Sequence, residues 1–376
     1  MNQKKIYFWA PFLSNIATTK AVINSSFAIK KYLNEFQPYI IDSIGEFESK
    51  KKEINEKNIN IIKLRQLNFF SILPSNGKIK SRFSFIIIFM LNFFPLKKLL
   101  KKDKPEFLII HLITILPLIL FYLFNFKTKC ILRISGYPQM GLIRILLWRI
   151  LLKNVHIVTC PTKSNFNYLK NLNVCDHKKL RVLYDPIIIV RELNLKVREK
   201  IKIDYENFSI SIGRLTNQKN FKFLIENFTK NINTKLVILG NGEDLIMLEN
   251  KIKSYNLSDN IIMKSFQSNI FPYLKKSECL LVSSLWEDPG FVIIEAAFCR
   301  TFIISSAFKI CSKELILDQK AGLVYELNSK KDFIEKFEKF KSMSEEERNV
   351  YRKNALIMSR NFTIFRHAKQ LHKILI

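Results

Sequence analysis

This sequence predicts an α/β protein built from two doubly wound parallel sheets, and three observations carry that expectation. The chain of 376 residues is too long for one ordinary core, so two are expected. Short apolar strands alternate with longer helical stretches from end to end, the pattern of parallel strands joined by crossover helices. Glycine is scarce, 9 in the whole chain, yet several glycines directly follow predicted strands, where open α/β sheets receive ligands.

In the first half, strands are expected near 6–9, 39–41, 107–112, 130–134, 156–160 and 181–184. A second set falls near 209–212, 235–239, 260–263, 279–283, 302–305 and 323–325. The expected organisation is a first domain over 1–190 and a linker over 191–207, where charge is high and periodicity weak. A second domain follows over 208–355, then a C-terminal helix over 356–376 packing back on the first. Ser344 stands three residues before Glu347, a capping-box arrangement that opens the helical tail. A hydrophobic fraction of 48% without low-complexity tracts excludes a disordered chain.

Charge is unevenly placed. Residues 1–190 hold 30 Lys and Arg against 10 Asp and Glu, a balance of +20 within the chain's total of +29. No acid occurs over 107–175, although cations continue through it from Lys127 to Lys170. Such a surface attracts phosphate, whether on a membrane, a lipid diphosphate or a nucleic acid. A general overuse of Lys, Asn, Ile and Phe would raise the charge, but it would not remove acids locally.

The six cysteines are scattered, mostly within apolar runs, with neither CxxC nor metal-ligand spacing, which suits buried thiols in a reducing compartment. The N-terminal stretch lacks the long apolar region and small-residue cleavage site of a signal peptide, so a cytoplasmic setting is expected. The apolar run 107–126 is long enough to span a bilayer. Its polar residues and Pro117 divide it into a buried strand and a helix, the preferred reading.

The candidate chemistry lies in the second half. Gly213 in SISIGR, and Gly240 and Gly242 in LVILGNG, follow strands, and Asn241 lies between the latter two. Gly290 sits where a loop becomes a helix in WEDPGFVIIEAA, where free backbone N–H groups form an anion site a phosphate can approach closely. Two carboxylates flank it, Glu287 in the loop and Glu295 inside the helix among Ile293, Ile294, Ala296 and Ala297. A carboxylate among such neighbours is costly unless it accepts hydrogen bonds, and paired ribose hydroxyls would supply them. Arg214 and Lys219, five apart in GRLTNQKNF, can face a diphosphate and offset charge on a departing nucleoside diphosphate. In so basic a chain neither would carry weight alone.

Taken in order, SIGRLTNQKNF, LVILGNGED, LLVSSLWEDPGFVIIEAA and AGLVYELNSKKDF resemble the landmarks of the retaining glycosyltransferase family 4, the group 1 glycosyltransferases. The resemblance implies a GT-B fold of two Rossmann-like domains. It implies that Arg214 and Lys219 bind the donor diphosphate, that Glu295 binds the ribose and that Glu287 contacts the transferred sugar. Backbone near Gly290 and Phe291 would hold the distal phosphate, with Gly213, Asn241 and Ser284 completing the donor site. The family acts without a catalytic metal, and this sequence has no DxD element, so neither metal nor cofactor is expected.

The first half resembles the family less. Where many members have a glycine-rich loop, this chain has FLSNIATTK, in which Asn15, Thr18 and Thr19 would offer side-chain contacts instead. Where many carry a histidine, the alignment gives Ser135; His111, from the neighbouring strand end, is a substitute or a satisfied core histidine. The segment 142–153, LIRILLWRILLK, has a face suited to a membrane interface or to packing on the sheet.

The function expected is a retaining, metal-independent glycosyltransferase, cytoplasmic and peripheral on the inner face of the cell membrane. It would move sugar from a nucleotide donor to a polyprenyl-diphosphate-linked glycan in capsule, O-antigen or similar surface polysaccharide synthesis. Expected partners are the donor, the lipid-linked acceptor and an anionic membrane surface, with no nucleic acid. The competing readings are a catalytically silent donor-binding subunit and a basic nucleic-acid-binding protein, the latter without a recognised motif.

Overall fold

A computed structural model describes residues 3–13, 17–74, 78–228 and 234–376. The chain divides into two compact units, Met1–Ile187 with Ile364–Ile376, and Ile188–Thr363.

The first unit holds a seven-stranded parallel sheet, β1 (Lys4–Trp9), β2 (Phe36–Asp42), β3 (Asn60–Lys63), β4 (Phe107–Ile110), β5 (Lys129–Arg133), β6 (Ile157–Cys160) and β7 (Leu180–Val182). Its order is β3-β2-β1-β4-β5-β6-β7. Alternating with the strands are α1 (Ala17–Tyr32), α2 (Lys51–Glu56), α3 (Lys78–Asp103), α4 (Ile115–Leu123), α5 (Leu142–Leu151) and α6 (Lys163–Asn171). β4 is buried along its whole length, which is why it reads as a continuous apolar run rather than an alternating one. The run 107–126 is thus strand then helix.

The second unit repeats the plan. Its main sheet comprises β8 (Phe208–Ile212), β9 (Lys235–Leu239), β10 (Ile261–Lys264), β11 (Cys279–Val282), β13 (Phe302–Ser306) and β15 (Leu323–Tyr325), in the order β10-β9-β8-β11-β13-β15. A small parallel pair, β12 (Trp286–Glu287) and β14 (Lys309–Ile310), stands apart. The helices are α7 (Val190–Arg198), α8 (Phe221–Asn227), α9 (Leu245–Ser254), α10 (Phe271–Lys276), α11 (Phe291–Phe298), α12 (Lys330–Ser342) and α13 (Glu345–Ser359).

Three features bear on the sequence expectation. The expected linker 191–207 opens as helix α7, which packs against α10 within the second unit. Val190, Leu193 and Val197 do recur at i, i+3 and i+7, but Arg191, Glu192 and Lys196 lie between them and only Leu193 is fully buried. Next, α13 carries the expected capping box, with Ser344 N–H to Glu347 Oε2 at 2.8 Å and Glu347 N–H to Ser344 Oγ at 3.2 Å, and packs against α11. The chain returns to the first unit as α14 (Ile364–Leu375), which lies on α1. Finally, α3 had no sequence assignment, and it is the one helix among the described residues long and apolar enough, over Arg82–Asp103, to cross a membrane by length and composition.

Candidate functional site

In each sheet the strand order reverses once, between β1 and β4 in the first unit and between β8 and β11 in the second. At such a switch point the loops leaving the two strands diverge, and a crevice opens beyond their carboxyl ends. In the second unit these loops are 213–220, after β8, and 283–290, after β11.

The two loops are tied together. Leu285 N–H donates to Gln218 O at 2.8 Å, Gln218 Nε2 to Trp286 O at 2.9 Å, and Ser283 Oγ to Lys219 O at 2.8 Å. Held this way, Lys219 forms an ion pair with Oε1 of Glu287, and Ser284 Oγ donates to the same oxygen at 2.7 Å. Glu287 is buried and lies in β12, paired with Ile310 of β14 rather than in free loop. Lys219, Ser284, Glu287 and Gly290 line one small cavity with Ser211 and Ile293.

The glycines explain how the loops approach. A Cβ on Gly240 would lie 1.9 Å from Gly213 O, and one on Gly242 would lie 2.2 Å from Leu215 O, so both turns after β9 need a bare backbone. Asn241 sits between them, its carbonyl accepting from Leu215 N–H at 2.9 Å and its Oδ1 from Phe266 N–H at 3.1 Å. Gly290 caps α11 with φ +82, in the left-handed region, and follows a cis Asp288–Pro289 bond. Phe291 begins α11 half-buried, and Glu295 is buried one turn further on. Arg214 is exposed on the loop after Gly213.

The sequence named Lys219 and Glu287 for separate roles; the structure makes them one paired unit. It also adds Ser283 and Gln218, which fix the loop that carries Lys219. Their only sequence signal is position, Ser283 directly after the apolar strand and Gln218 beside Lys219.

In the first unit His111 follows β4, its N–H donating to Trp9 O at 2.9 Å, so it stands at that sheet's switch point. Its Nδ1 lies 3.5 Å from Ser135 Oγ. The two candidates the sequence offered as alternatives are therefore neighbours. His111 Nε2 is buried without a hydrogen-bond partner among the described residues, as is Thr19 Oγ1 on the first turn of α1. Burial, with help from Arg133 and His367, holds the His111 imidazole well below the usual histidine range, so it is neutral at neutral pH. Thr18 is half-buried beside Thr19, whereas Asn15 lies outside the described residues.

Among the described residues no group of three or more His, Cys, Asp or Glu is placed to hold a metal ion. None of the six cysteines forms a disulfide; five are buried and Cys175 partly so.

Two doubly wound units, each with its loops gathered at a switch point, define the GT-B class of fold. Solved structures agree. A glycosyltransferase from Rickettsia africae aligns over 100% of this chain and 98% of its own with a TM-score of 0.76 at 15% identity. Anabaena HepE in complex with UDP and glucose aligns over 99% of each chain, with a TM-score of 0.73 at 12% identity.

Residues 195–357 match the family model described as glycosyl transferases group 1. An uncharacterised glycosyltransferase of Methanocaldococcus jannaschii is 29% identical over 76% of this chain and 70% of its own length. A Campylobacter jejuni enzyme is 26% identical over 68% of this chain and 71% of its own. It is named as an N-acetylgalactosaminyltransferase acting on N-acetylgalactosamine-N,N'-diacetylbacillosaminyl-diphospho-undecaprenol. That match covers most of the second unit, and with these relatives it makes the chain a glycosyltransferase.

Proposed function

We propose that the chain transfers a sugar, with retention of anomeric configuration, from a nucleoside-diphosphate donor to a polyprenyl-diphosphate-linked glycan. It would do so in the synthesis of a capsule, O-antigen or related surface polysaccharide, at the inner face of the cell membrane. The observation that carries the donor side is the Lys219–Glu287–Ser284 cluster at the second unit's switch point, beside the N-cap of α11.

In this reading the diphosphate lies by Arg214, Lys219 and the first amides of α11, which carry a partial positive charge. Glu295 accepts the ribose hydroxyls and Glu287 a hydroxyl of the transferred sugar. Arg214 and Lys219 take up charge as it grows on the leaving diphosphate, the work a divalent ion does elsewhere, so turnover needs no metal. The acceptor reading draws support from the Campylobacter relative, whose name specifies an undecaprenol-diphosphate acceptor, and from a similar protein of Erwinia amylovora named for amylovoran biosynthesis. HepE with bound UDP favours a uridine donor.

The test is a panel of nucleotide sugars scored for thermal stabilisation, with and without magnesium. Transfer of the stabilising donor to an undecaprenyl-diphosphate-linked glycan follows, with the new linkage read by NMR. An α-donor giving an α-linkage supports the reading; a β-linkage, or donor binding with neither transfer nor hydrolysis, overturns it.

A further inference from the structure

We propose that the outer faces of α3, α4 and α5 form the surface by which the first unit rests on an anionic phospholipid bilayer, with α3 lying in the interface rather than crossing it. This rests on the reading that the chain works beside a membrane, and adds which surface meets the lipid and how.

The geometry of α3 comes first. Ser84, Ile88, Asn92, Leu96 and Leu100 are all buried, a stripe with a period of four along one face of the helix. Ile88 packs with Ile44 and Leu73, while Leu96 and Leu100 join the core that holds Tyr7, Trp9 and Leu108. Ser84 Oγ donates to Pro74 O at 2.8 Å, and Arg65 donates to the carbonyl of Leu91. A spanning helix would have to give up this seam along its whole length. Despite sufficient length, α3 is therefore a fixed part of the first unit.

Its other face has no such cover. Phe83, Ile86, Met90 and Phe94 are 60–71% exposed. Exposed apolar surface recurs on the neighbouring helices, α3 packing on α4 and α4 on α5. On α4 it includes Tyr122 and Leu123; on α5 it includes Leu142, Ile143 and Leu146. Exposed apolar residues grouped in this way on three adjoining helices mark an interaction surface.

Charge selects the occupant. Beyond Phe94, α3 becomes basic, and Lys97, Lys98, Lys101 and Lys102 line a shallow depression with Phe94 and Pro95. The one acid of α3, Asp103, accepts a 2.6 Å hydrogen bond from the Tyr7 hydroxyl of β1. Helices α4 and α5 carry no acid at all, and α5 adds Arg144 and Arg149. Lys97 lays its ammonium 3.7 Å from the centroid of the Phe124 ring, a stem on an apolar surface with a charged head, as at a lipid interface. A second copy of the same face would set lysine against lysine. An apolar face with a fringe of cations suits a headgroup layer with phosphate above and acyl chain below.

The test is sedimentation of the full chain with vesicles of phosphatidylcholine alone and of phosphatidylcholine mixed with phosphatidylglycerol. Binding is expected to the mixed vesicles and to weaken with salt. Met90→Glu with Phe94→Glu should lower binding roughly tenfold or more. Lys98→Gln with Lys102→Gln should lower it about tenfold and flatten the salt dependence. Both variants should keep wild-type thermal unfolding and nucleotide affinity, which separates a lost surface from a lost fold.

Unchanged vesicle binding in both variants overturns the proposal. So does resistance of the wild type to alkaline carbonate extraction, which would mean a span, or a solution dimer that Met90→Glu dissociates, which would give the face to a second copy. Vesicle binding is read apart from sugar transfer, so an inactive protein that binds vesicles refutes the activity alone. An active one that ignores vesicles refutes this surface and the membrane setting while leaving the sugar-transfer reading standing.

Discussion

Lys219 and Glu287, 68 residues apart in sequence, meet as an ion pair where the second unit's sheet reverses its strand order. Their positions are set by different loops, so the pair reports whether both loops are in place. Glu287 keeps 8% of its side chain exposed and Lys219 19%. Removing the cation strands a nearly buried carboxylate, which costs more than the pair contributes. Lys219→Met is expected to lower stability by about 3 kcal/mol, the low end for a buried pair because the lysine is partly hydrated. Adding Glu287→Gln should restore part of that loss. Urea unfolding of both single variants and the double variant gives the coupling, and strict additivity would contradict it.

Glu295 is the second carboxylate of the proposed donor site, buried on α11. If it accepts two ribose hydroxyls, Glu295→Gln exchanges a charged acceptor for a neutral one of the same shape. Nucleotide affinity should fall by about 1–3 kcal/mol with the fold intact. Calorimetric titration with the nucleoside diphosphate checks this; an unchanged affinity removes Glu295 from the site.

Gly240→Ala tests the closeness of the loops. The new methyl would stand 1.9 Å from the carbonyl oxygen of Gly213, which is backbone and cannot rotate away. The turn after β9 would have to move off the one after β8, costing about 1–3 kcal/mol of stability. The displacement starts beside Arg214, so donor affinity should fall with it. Thermal unfolding and titration on the same sample decide, and a stable variant with full affinity would show that the turns tolerate separation.

How much of this was legible in the sequence depends on whether the signal is local. The strands of both main sheets, apart from β3, announce themselves as short apolar runs ended by polar residues or glycine, and Gly213, Gly240 and Gly290 mark the loops that need bare backbone. Glu295 is conspicuous because its neighbours are Ile294 and Ala296. The pairing of Lys219 with Glu287 is not local, and no feature of either segment names its partner. The strand β12 depends likewise on β14, some twenty residues later. Helix α3 was missed because apolar residues surround much of it, so no polar face sets off a 3.6-residue period, and Pro95 lies inside it. Only the fold distinguishes its buried stripe at Ser84, Ile88 and Asn92 from its exposed one.

The first unit should lose stability in mild acid. His367 on α14 lies between Ser25 Oγ, at 2.8 Å, and the Tyr184 carbonyl, at 2.7 Å. Burial, and then the charge of Arg133, holds it down at about 3 against an ordinary value of 6.5. His111 is lowered by the same causes. Between these limits the unfolded chain binds a proton that the folded one refuses. Stability is therefore full above the unfolded value and declines as pH drops through the window, by up to about 1.4 kcal/mol per pH unit for each such histidine. Urea unfolding at neutral and mildly acidic pH should show the decline, and His367→Asn should make it shallower. An unaltered slope in the variant would mean that His367 does not carry it.

Arg214 and Lys219 separate chemistry from folding. Arg214 is exposed, so Arg214→Ala should leave stability within about 0.5 kcal/mol of wild type, unlike any change at Lys219. In transfer, however, the two should behave alike, because charge grows on the leaving diphosphate as the glycosidic bond breaks and both cations face that charge. Each substitution to alanine is expected to cost roughly 10²-fold or more in turnover, with a smaller change in donor affinity. The double variant should fall short of the product of the two losses, since both act on one diphosphate. With the cations supplying this charge, wild-type turnover should survive EDTA. Rates and donor affinities of the three variants, with wild type assayed in chelator and in magnesium, test the assignment together. Near wild-type turnover in all three variants would move the donor diphosphate elsewhere, and loss of wild-type turnover in EDTA that magnesium restores would assign the leaving-group charge to a metal ion.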